Sequence, residues 1–422
     1  MTGQRAQGTG HGAEGRGQRT LWIVSGGAEA VPGIQRARAM GLHVVVSDRN
    51  PSAPGFAGAD DAVEADTYDV DATIAAALEY CRTKRRIDGV IAIAADVPMT
   101  VAGVVAALGL PGISIESARL AADKLAMKLA FQRAGIPIPW FRAIASLDDL
   151  KGTIVERGYP IVLKPIDGRG ARGVLLLTER TDLAWAFAHA TRQSRRGAVM
   201  VEEFLAGPQI STEGLVVGGD GTTCGFIDRN YEHIDRFAPY IVENGGEQPS
   251  ALPAQAQRQI SAVAMDAGRA LGIANGSVKG DMVWTDRGPY VIEIAARLSG
   301  GWMSTDQVPL GTGVDLVGCA IRQALGETIS ADELRPRWHR GVAIRYFFPP
   351  PGRVAGIDGA DRFADVPWVH RLGFFVAPGD VVEPTTDHTR RAGFVITSGT
   401  TREEAVARAE SVVGAVRIVT VA

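Results

Sequence analysis

The feature that most constrains this 422-residue chain is a pair of acidic residues that fall opposite each other in a β-hairpin. Residues 278–295 form two predicted strands joined by Asp286-Arg287-Gly288, and a three-residue loop ending in glycine is a common hairpin connection. That register places Asp281 opposite Glu293. Two carboxylates facing each other across a sheet repel unless a divalent cation lies between them. The hairpin therefore predicts a Mg²⁺ site, which a register shift of one residue would abolish.

A second hairpin carries positive charge around a glycine-rich loop. The strand 159–165 contains Lys164 as its one charged residue, and a strand resumes at 174–177. The loop between them has three glycines, which let backbone N–H groups approach phosphate oxygens. It lacks the Gly-Lys-Ser/Thr motif and the following helix of a P-loop. A plain basic hairpin tip is the alternative to a phosphate site. The candidate phosphate contacts are Lys164, Gly168, Arg169, Gly170, Arg172 and Gly173.

Two further segments add candidate nucleotide contacts. A helix predicted over 117–135 places Lys124 in an apolar stripe, where a lysine needs an anion unless it snorkels to the surface. The strand 198–205 carries Glu202 and Glu203 just before a Gly-Pro turn. Such a strand end offers an adenine both a carboxylate and backbone groups, although a solvent-facing edge is the alternative.

The order of predicted elements indicates an α/β chain with α+β parts. Residues 20–115 alternate strands and helices as in a parallel sheet, whose ligand loops lie at the carboxyl ends of the strands. Gly26 and Gly27 are followed next by Gly33, so the fingerprint GxGxxG is not met and Asp48 is not expected to bind the ribose of NAD. The predicted divisions are a disordered tail at 1–19, this α/β domain at 20–115, a central domain at 116–335 with a lid at about 140–205, and a C-terminal subdomain at 336–422.

Composition and charge argue against several classes of function. A net charge of -3 without blocks of like charge disfavours nucleic acid or an acidic membrane surface as a partner. The sequence contains no apolar stretch of about 20 residues, so no membrane span is predicted. Residues 1–19 lack the apolar core of a signal peptide, and a cytoplasmic protein is therefore expected. The spacing of Cys81, Cys224 and Cys319 predicts buried small side chains rather than zinc ligands or disulfides.

Four of these segments resemble the ATP-grasp superfamily, in the branch with biotin carboxylase, carbamoyl phosphate synthetase, glycinamide ribonucleotide synthetase and the L-amino acid ligases. AADKLAMKLAFQRAGIPIP is similar to the family's DK…AGIPxP helix, and YPIVLKPIDGRGARGV to its lid hairpin. VEEFLAGPQISTEG is similar to its adenine hinge, and KGDMVWTDRGPYVIEIAARLSGG to its metal-binding hairpin. The resemblance covers nearly the whole chain after residue 20. It implies a Rossmann-like pre-ATP-grasp domain, an ATP-grasp domain and a carboxylase-like C-terminal subdomain.

The resemblance also implies roles for individual residues. Lys124 and Lys164 would hold ATP phosphates, and Arg297 would neutralise the transferred phosphate, which makes Lys164 and Arg297 the catalytic candidates. Asp281 and Glu293 would hold Mg²⁺, with Mn²⁺ as an alternative. The adenine and ribose contacts would come from Glu202, Glu203, Phe204, Leu205 and Gln209.

Two positions depart from the family pattern. Ala295 stands where a further asparagine metal ligand is frequent, which leaves open whether one or two Mg²⁺ ions bind, and Ala171 stands where the lid often has a serine. His388 is expected to be a surface turn residue rather than a substrate contact. The predicted substrate contacts are Ser299, Gly300, Gly301, Trp302, Met303 and His233, with Tyr231, Glu232 and residues 304–309 near them.

The implied activity is that of an ATP-dependent ligase. It would convert the carboxylate of an amino acid or small organic acid into an acyl phosphate and couple it to an amine, releasing ADP and phosphate. Small-molecule substrates are the expected partners, and a homodimer is compatible with the resemblance. The alternatives are a bicarbonate-using carboxylase of the same fold, a non-catalytic ATP-binding regulator, which Ala295 favours, and a nicotinamide oxidoreductase.

Overall fold

The computed structural model describes residues 17–421, and it begins with a parallel sheet. The strands of this sheet are ordered β3-β2-β1-β4, so β1 lies inside with a parallel neighbour on each side. Its elements are β1 (Thr20–Val24), α1 (Val31–Ala39), β2 (His43–Asp48), β3 (Asp61–Glu64), α2 (Val70–Thr83), β4 (Gly89–Ile91) and α3 (Pro98–Leu108). The predicted parallel α/β unit is thereby confirmed. Asp48 closes its own loop by accepting hydrogen bonds from Gly26 N and Asn50 N, each at 2.9 Å.

The helix predicted over 117–135 is two helices, α4 (Ile115–Ala122) and α5 (Lys124–Arg133). Asp123 interrupts them with extended backbone, and its carboxylate accepts the N–H of Ala126 at 2.9 Å. An aspartate in this position caps the helix that follows it, which the periodicity of the apolar residues alone does not reveal. Lys124 consequently lies at the first turn of α5 rather than in the middle of a longer helix.

A small antiparallel sheet follows, with the strand order β5-β8-β6-β7. Two helices cover it, and the glycine-rich loop connects β6 to β7 as predicted. The elements are β5 (Phe141–Ile144), α6 (Leu147–Arg157), β6 (Ile161–Pro165), β7 (Leu175–Leu177), α7 (Leu183–Gln193) and β8 (Val199–Glu203).

The largest sheet has eight strands in the order β13-β12-β9-β10-β11-β14-β18-β16. This sheet contains strands from both sides of the domain boundary predicted at residue 335, since β14 pairs with β11 on one side and with β18 on the other. A three-stranded sheet, β17-β15-β19, lies beside it. The elements are β9 (Gln209–Val217), β10 (Asp220–Asn230), α8 (Ile234–Phe237), β11 (Gly245–Gln248), α9 (Ala254–Ala270), β12 (Gly276–Thr285), β13 (Gly288–Ala295), α10 (Val308–Thr312), α11 (Leu316–Ala324), β14 (Gly341–Phe347), β15 (Gly352–Asp358), β16 (Val369–Phe374), β17 (Val381–Val382), β18 (Gly393–Gly399), α12 (Arg402–Ala415) and β19 (Arg417–Val421).

The acidic hairpin has the predicted register for a different reason. Gly288 pairs with Thr285, so the connection has two residues rather than three. A bulge shifts the ladder by one residue at Ile292, between the pair Met282–Val291 and the pair formed by Asp281 and Glu293. The short turn and the bulge offset each other, and the two acids face one another as expected.

A continuous apolar core joins the parallel sheet to the eight-stranded sheet. Leu21 and Val46 pack in one cluster with Leu215 of β9, Ile227 of β10 and Ile321 of α11. This packing holds the carboxyl ends of the parallel strands against the acidic hairpin, where Ile93 forms a bridge to Leu298.

Cys224 and Cys319 are buried, as predicted, whereas Cys81 is half-buried, and all three are free thiols. Residues 1–16 of the predicted tail lie outside the described residues, whereas Arg19 pairs with Glu327 at 2.5 Å. Within residues 17–421, no helix combines the length and apolar character that a membrane crossing requires.

Candidate active site

One cavity of about 660 Å³ lies where the parallel sheet, the small lid sheet and the eight-stranded sheet meet. Its walls include Lys124, Lys164, Asp281, Glu293 and Arg297, so the predicted phosphate, metal and catalytic residues converge on one space. Other predicted contacts that line it are Gly168, Arg169, Gly170, Arg172, Glu202, Glu203, Phe204, Leu205, Gln209, Ser299, Gly300, Gly301 and Met303.

Lys124 connects the acidic hairpin to the glycine-rich loop. Its Nζ donates to Glu293 Oε1 at 2.8 Å and to the carbonyl oxygen of Gly168 at 3.0 Å. Although burial disfavours the charged amine, the carboxylates of Glu293 and Asp96 together outweigh that effect and raise the pKa of Lys124. This lysine therefore stays protonated where the lid meets the hairpin.

Lys164 belongs to a buried cluster that the sequence analysis did not foresee. Its Nζ pairs with Glu202 Oε1, and Lys128 Nζ lies 3.2 Å from the other oxygen of the same carboxylate. Burial lowers the pKa of Lys128 to about 8, with Glu202 opposing that effect. Lys128 lies four residues after Lys124 on α5, so the spacing i, i+4 was the signal that could have identified it.

The strand end predicted to contact adenine lines the cavity. The carboxylate of Glu202 points to the two lysines, so this side chain is not free to contact a base. Glu203 is bound by Arg287 at 2.6 Å. What remains for a base is the backbone of the stretch from Glu203 to Leu205, together with Gln209 at the start of β9.

The facing acids offer two carboxylates to a metal ion. Asp281 is bound by Lys279, by Arg229 at 2.8 Å and by Ser211 Oγ at 3.1 Å. Burial disfavours its charge, but Lys279 and Arg229 more than compensate and hold the pKa of Asp281 well below its usual range. Residues 17–421 contain no cluster of three or more metal-binding side chains. The pair fits Mg²⁺ that takes its remaining ligands from phosphate and water, as this ion usually does.

The glycine-rich loop contacts residues of the parallel domain and residues of the C-terminal part of the chain. Asp96, which follows β4, lies 3.3 Å from Arg169 Nε and 3.5 Å from Arg297 Nε. The Arg169 guanidinium also stacks on the ring of Tyr68 at 4.7 Å. On the opposite side, the N–H of His388 donates to the carbonyl oxygen of Gly170 at 3.1 Å. The loop therefore covers the cavity in this structure.

A second group of charges lines the cavity beyond the acidic hairpin. Arg229 Nε donates to Glu243 at 2.5 Å, and Arg391 Nη2 donates to the carbonyl oxygen of Glu243 at 2.7 Å. The Arg391 guanidinium lies 3.7 Å from the centre of the Tyr346 ring, whose hydroxyl has no hydrogen-bond partner among the described residues. None of these residues was predicted. They come from β10, the segment before β11, β14 and the segment before β18, which are far apart in sequence.

Three predictions about the substrate wall require correction. His388 lines the cavity instead of lying on the surface, and burial with two arginines nearby holds its pKa well below the usual value. Trp302 does not line the cavity, and its buried ring stacks on Phe394 with 3.6 Å between the ring centres. His233 is also outside the cavity, next to Phe237 and Phe348. Of the other residues named for this wall, the lining of the cavity includes Tyr231 but not Glu232 or residues 304–309.

Two missed acids could have been found from the topology. Glu29 follows β1 and Asp96 follows β4, and ligand loops of a parallel sheet lie at the carboxyl ends of its strands. Both side chains line the cavity. That rule was applied to the parallel domain as a whole but not to its individual loop residues.

Three sequence families match consecutive parts of the chain. The family described as the ATP-grasp N-terminal domain matches residues 34–112, and the one described as the ATP-grasp domain matches residues 121–301. Together these two matches span 260 of the 422 residues, and the chain is an ATP-grasp protein. A third family, described as L-amino acid ligase C-terminal domain 2, matches residues 345–421.

Named relatives of the ATP-grasp protein cover most of its length. It is 29% identical over 382 residues to the uncharacterized protein y4rH of Sinorhizobium fredii, which covers 88% of this chain and 77% of that protein. It is 27% identical over 410 residues to the formate-dependent phosphoribosylglycinamide formyltransferase of Paraburkholderia xenovorans, covering 93% and 92%. Dapdiamide A synthase of Enterobacter agglomerans is 25% identical over 260 residues, covering 59% and 60%.

Solved structures share the fold of the ATP-grasp protein. The L-amino acid ligase from Bacillus licheniformis superposes with a TM-score of 0.80 at 22% identity, covering 96% of this chain and 99% of that one. A biotin carboxylase from Campylobacter jejuni superposes with a TM-score of 0.70 at 19% identity, covering 95% and 92%. These similarities confirm the predicted fold.

Proposed function

We propose that the protein phosphorylates a substrate carboxylate with ATP and couples the resulting acyl phosphate to an amine. The observation that carries the proposal is the convergence of Lys124, Lys164, Arg297 and the facing acids on one cavity. A space of this volume accommodates a nucleotide and small substrates. ADP and phosphate would be the other products.

The charged side chains suit phosphoryl transfer, in which catalysis is mostly positioning and charge neutralisation. Lys124 and Lys164 would hold the phosphates, and Arg297 would stabilise the transferred group. Asp281 and Glu293 would hold Mg²⁺, which supplies positive charge at the terminal phosphates when it is bound. In this structure each acid pairs with lysine or arginine side chains, and a bound metal ion would replace these partners.

The glycine-rich loop would exclude water from the acyl phosphate, which is prone to hydrolysis. Its contacts with Asp96 and with the backbone of His388 describe the covered state. The loop must open to admit a nucleotide. Because one contact comes from each side of the cavity, closure would join the parallel domain to the C-terminal part of the chain.

The acid substrate is an amino acid or a small organic acid. This inference rests on relatives with names such as D-alanine–D-alanine ligase and on the family match in the C-terminal part. The wall beyond the hairpin contains Met303 and Phe375 beside Arg229 and Arg391, a mixture of apolar and charged groups that suits such a molecule.

The test is ADP release from the purified protein with a panel of acids and amines, with products identified by mass spectrometry. Release should require one acid and one amine, and Lys164→Ala should lose at least about 10²-fold in kcat/KM because a phosphate contact is removed. Lys151→Ala, at an exposed lysine of α6, is the matched control.

A Lys164→Ala protein with full activity would contradict the assignment. Release that requires bicarbonate, with isotopic bicarbonate found in the product, would identify a carboxylase instead. Nucleotide binding without turnover across the whole panel would identify a regulator.

A further inference from the structure

The carboxylates that line the cavity differ in one respect, namely whether a cation of the protein binds them. Six have a lysine or arginine nitrogen within 4.0 Å, and Glu29 is the exception among residues 17–421. The carboxylates concerned are Glu29, Asp96, Glu202, Glu203, Glu243, Asp281 and Glu293.

Glu29 is held by the turn that follows Arg297. Its Oε2 accepts the backbone N–H of Gly301 at 2.8 Å. A Cβ atom at Gly300 would come within 2.4 Å of the same oxygen, so glycine is required there for the carboxylate to approach the turn. A Cβ at Gly301 would lie 3.1 Å from the Tyr346 hydroxyl, which places this acid close to the charged wall beyond the hairpin.

The groups around Glu29 compensate the negative charge of its carboxylate only in part. Burial raises its pKa, while the N–H of Gly301 and the more distant charges of Arg391 and Arg297 oppose that effect. A half-buried acid that accepts one backbone hydrogen bond and pairs with no cation of the protein is costly, and a cation from a ligand would reduce that cost. Glu29 belongs to no group of three or more metal-binding side chains among the described residues, and it has no facing acid in a strand pair as Asp281 has.

We propose that Glu29 binds the ammonium group of a substrate. The inference rests on the proposed function, since it names a chemical group of the molecules that this ligase joins. A primary ammonium could belong to an amino acid that supplies the carboxylate, or to the amine substrate, which would give a proton to the Glu29 carboxylate before its neutral nitrogen attacks the acyl phosphate and phosphate leaves. The two sources share the same ion pair with Glu29 and differ in which substrate the residue selects.

The experiment compares Glu29→Gln with the wild type in three substrate pairings. The first joins an amino acid to hydroxylamine, which is uncharged near neutral pH. The second joins the desamino counterpart of that acid to an amine, and the third joins the desamino acid to hydroxylamine. Acids are drawn from the twenty L-amino acids and their desamino counterparts. Hydroxamate or amide formation is followed by mass spectrometry, and Glu179→Gln, on an exposed turn, is the control.

Glu29→Gln should lose on the order of 10²-fold in kcat/KM in one of the first two pairings, and keep the third unchanged. Loss with the amino acid and hydroxylamine assigns the ammonium to the acid substrate. Loss with the desamino acid and amine assigns it to the nucleophile. No loss in any pairing, or an equal loss in all three, overturns the inference. A wild type that forms no product in any pairing refutes the proposed function instead.

Discussion

At the residue scale, the charged residues that were predicted to line the site are those that interrupt an otherwise apolar strand or helix. Lys164 is the one charge in a buried strand, and Asp281 and Glu293 interrupt the apolar residues of a hairpin, so each stood out in the sequence. Arg229, Glu243 and Arg391 also line the cavity, but they come from separate parts of the chain. Their meeting depends on tertiary contacts that no local spacing encodes.

Glu213 gives a residue-scale prediction of how stability depends on pH. Burial raises its pKa to about 7, against an unfolded value of 4.5, with Ser299 and Lys279 opposing the shift. The folded state therefore binds more protons than the unfolded state between those values, and stability falls as pH rises through this window. Glu213→Gln should raise the free energy of unfolding by up to about 3 kcal/mol at pH 8, with little effect at pH 4.

Urea unfolding at the two pH values measures this difference. Glu179→Gln, on the surface, should change neither value by more than about 0.5 kcal/mol. If Glu213→Gln has the same effect at both pH values, the acid is not protonated within the folded protein near neutrality.

At the element scale, the hairpins were predicted better than the helices around them. The acidic hairpin reached its expected register through a two-residue turn and a bulge at Ile292, two departures that cancel. The helix break at Asp123 was missed because the apolar periodicity continues through it. The periodicity of apolar residues identifies a helix or strand. Caps and bulges depend on single residues, which this periodicity does not reveal.

The glycine-rich loop provides the prediction at this scale. Asp96 binds Arg169 of the loop and Arg297 of the site, so Asp96→Asn should weaken the covered state. A partly exposed ion pair contributes about 1 kcal/mol, which corresponds to a roughly fivefold larger open population. Trypsin should therefore cleave after Arg169 or Arg172 about five times faster, because cleavage tracks the open population.

Asp148→Asn, at an exposed aspartate of α6, is the control for this measurement. Saturating ATP should protect both variants if the nucleotide closes the loop. Equal cleavage rates in Asp96→Asn and the wild type would show that Asp96 does not hold the loop.

At the scale of the whole molecule, the order of the units and the convergence of the lysines and facing acids on one cleft were predictable, whereas the charges that the first and last parts of the chain add to that cleft were not. Each motif signals its own element, and the resemblance supplied their order. The apolar cluster that joins Leu21 of the parallel sheet to Ile321 of α11 brings Glu29 and Asp96 to the site from outside the central domain. The domain boundaries and the homodimer stay predictions.

The central claim is that two lysines and a facing acidic pair act on the phosphates of one nucleotide. A crystal structure with a non-hydrolysable ATP analogue and Mg²⁺ tests it most directly. The account predicts phosphate oxygens within hydrogen-bond distance of Lys124 and Lys164, and a metal ion bound by Asp281 and Glu293. A nucleotide bound elsewhere, or phosphates that contact neither lysine, would contradict it.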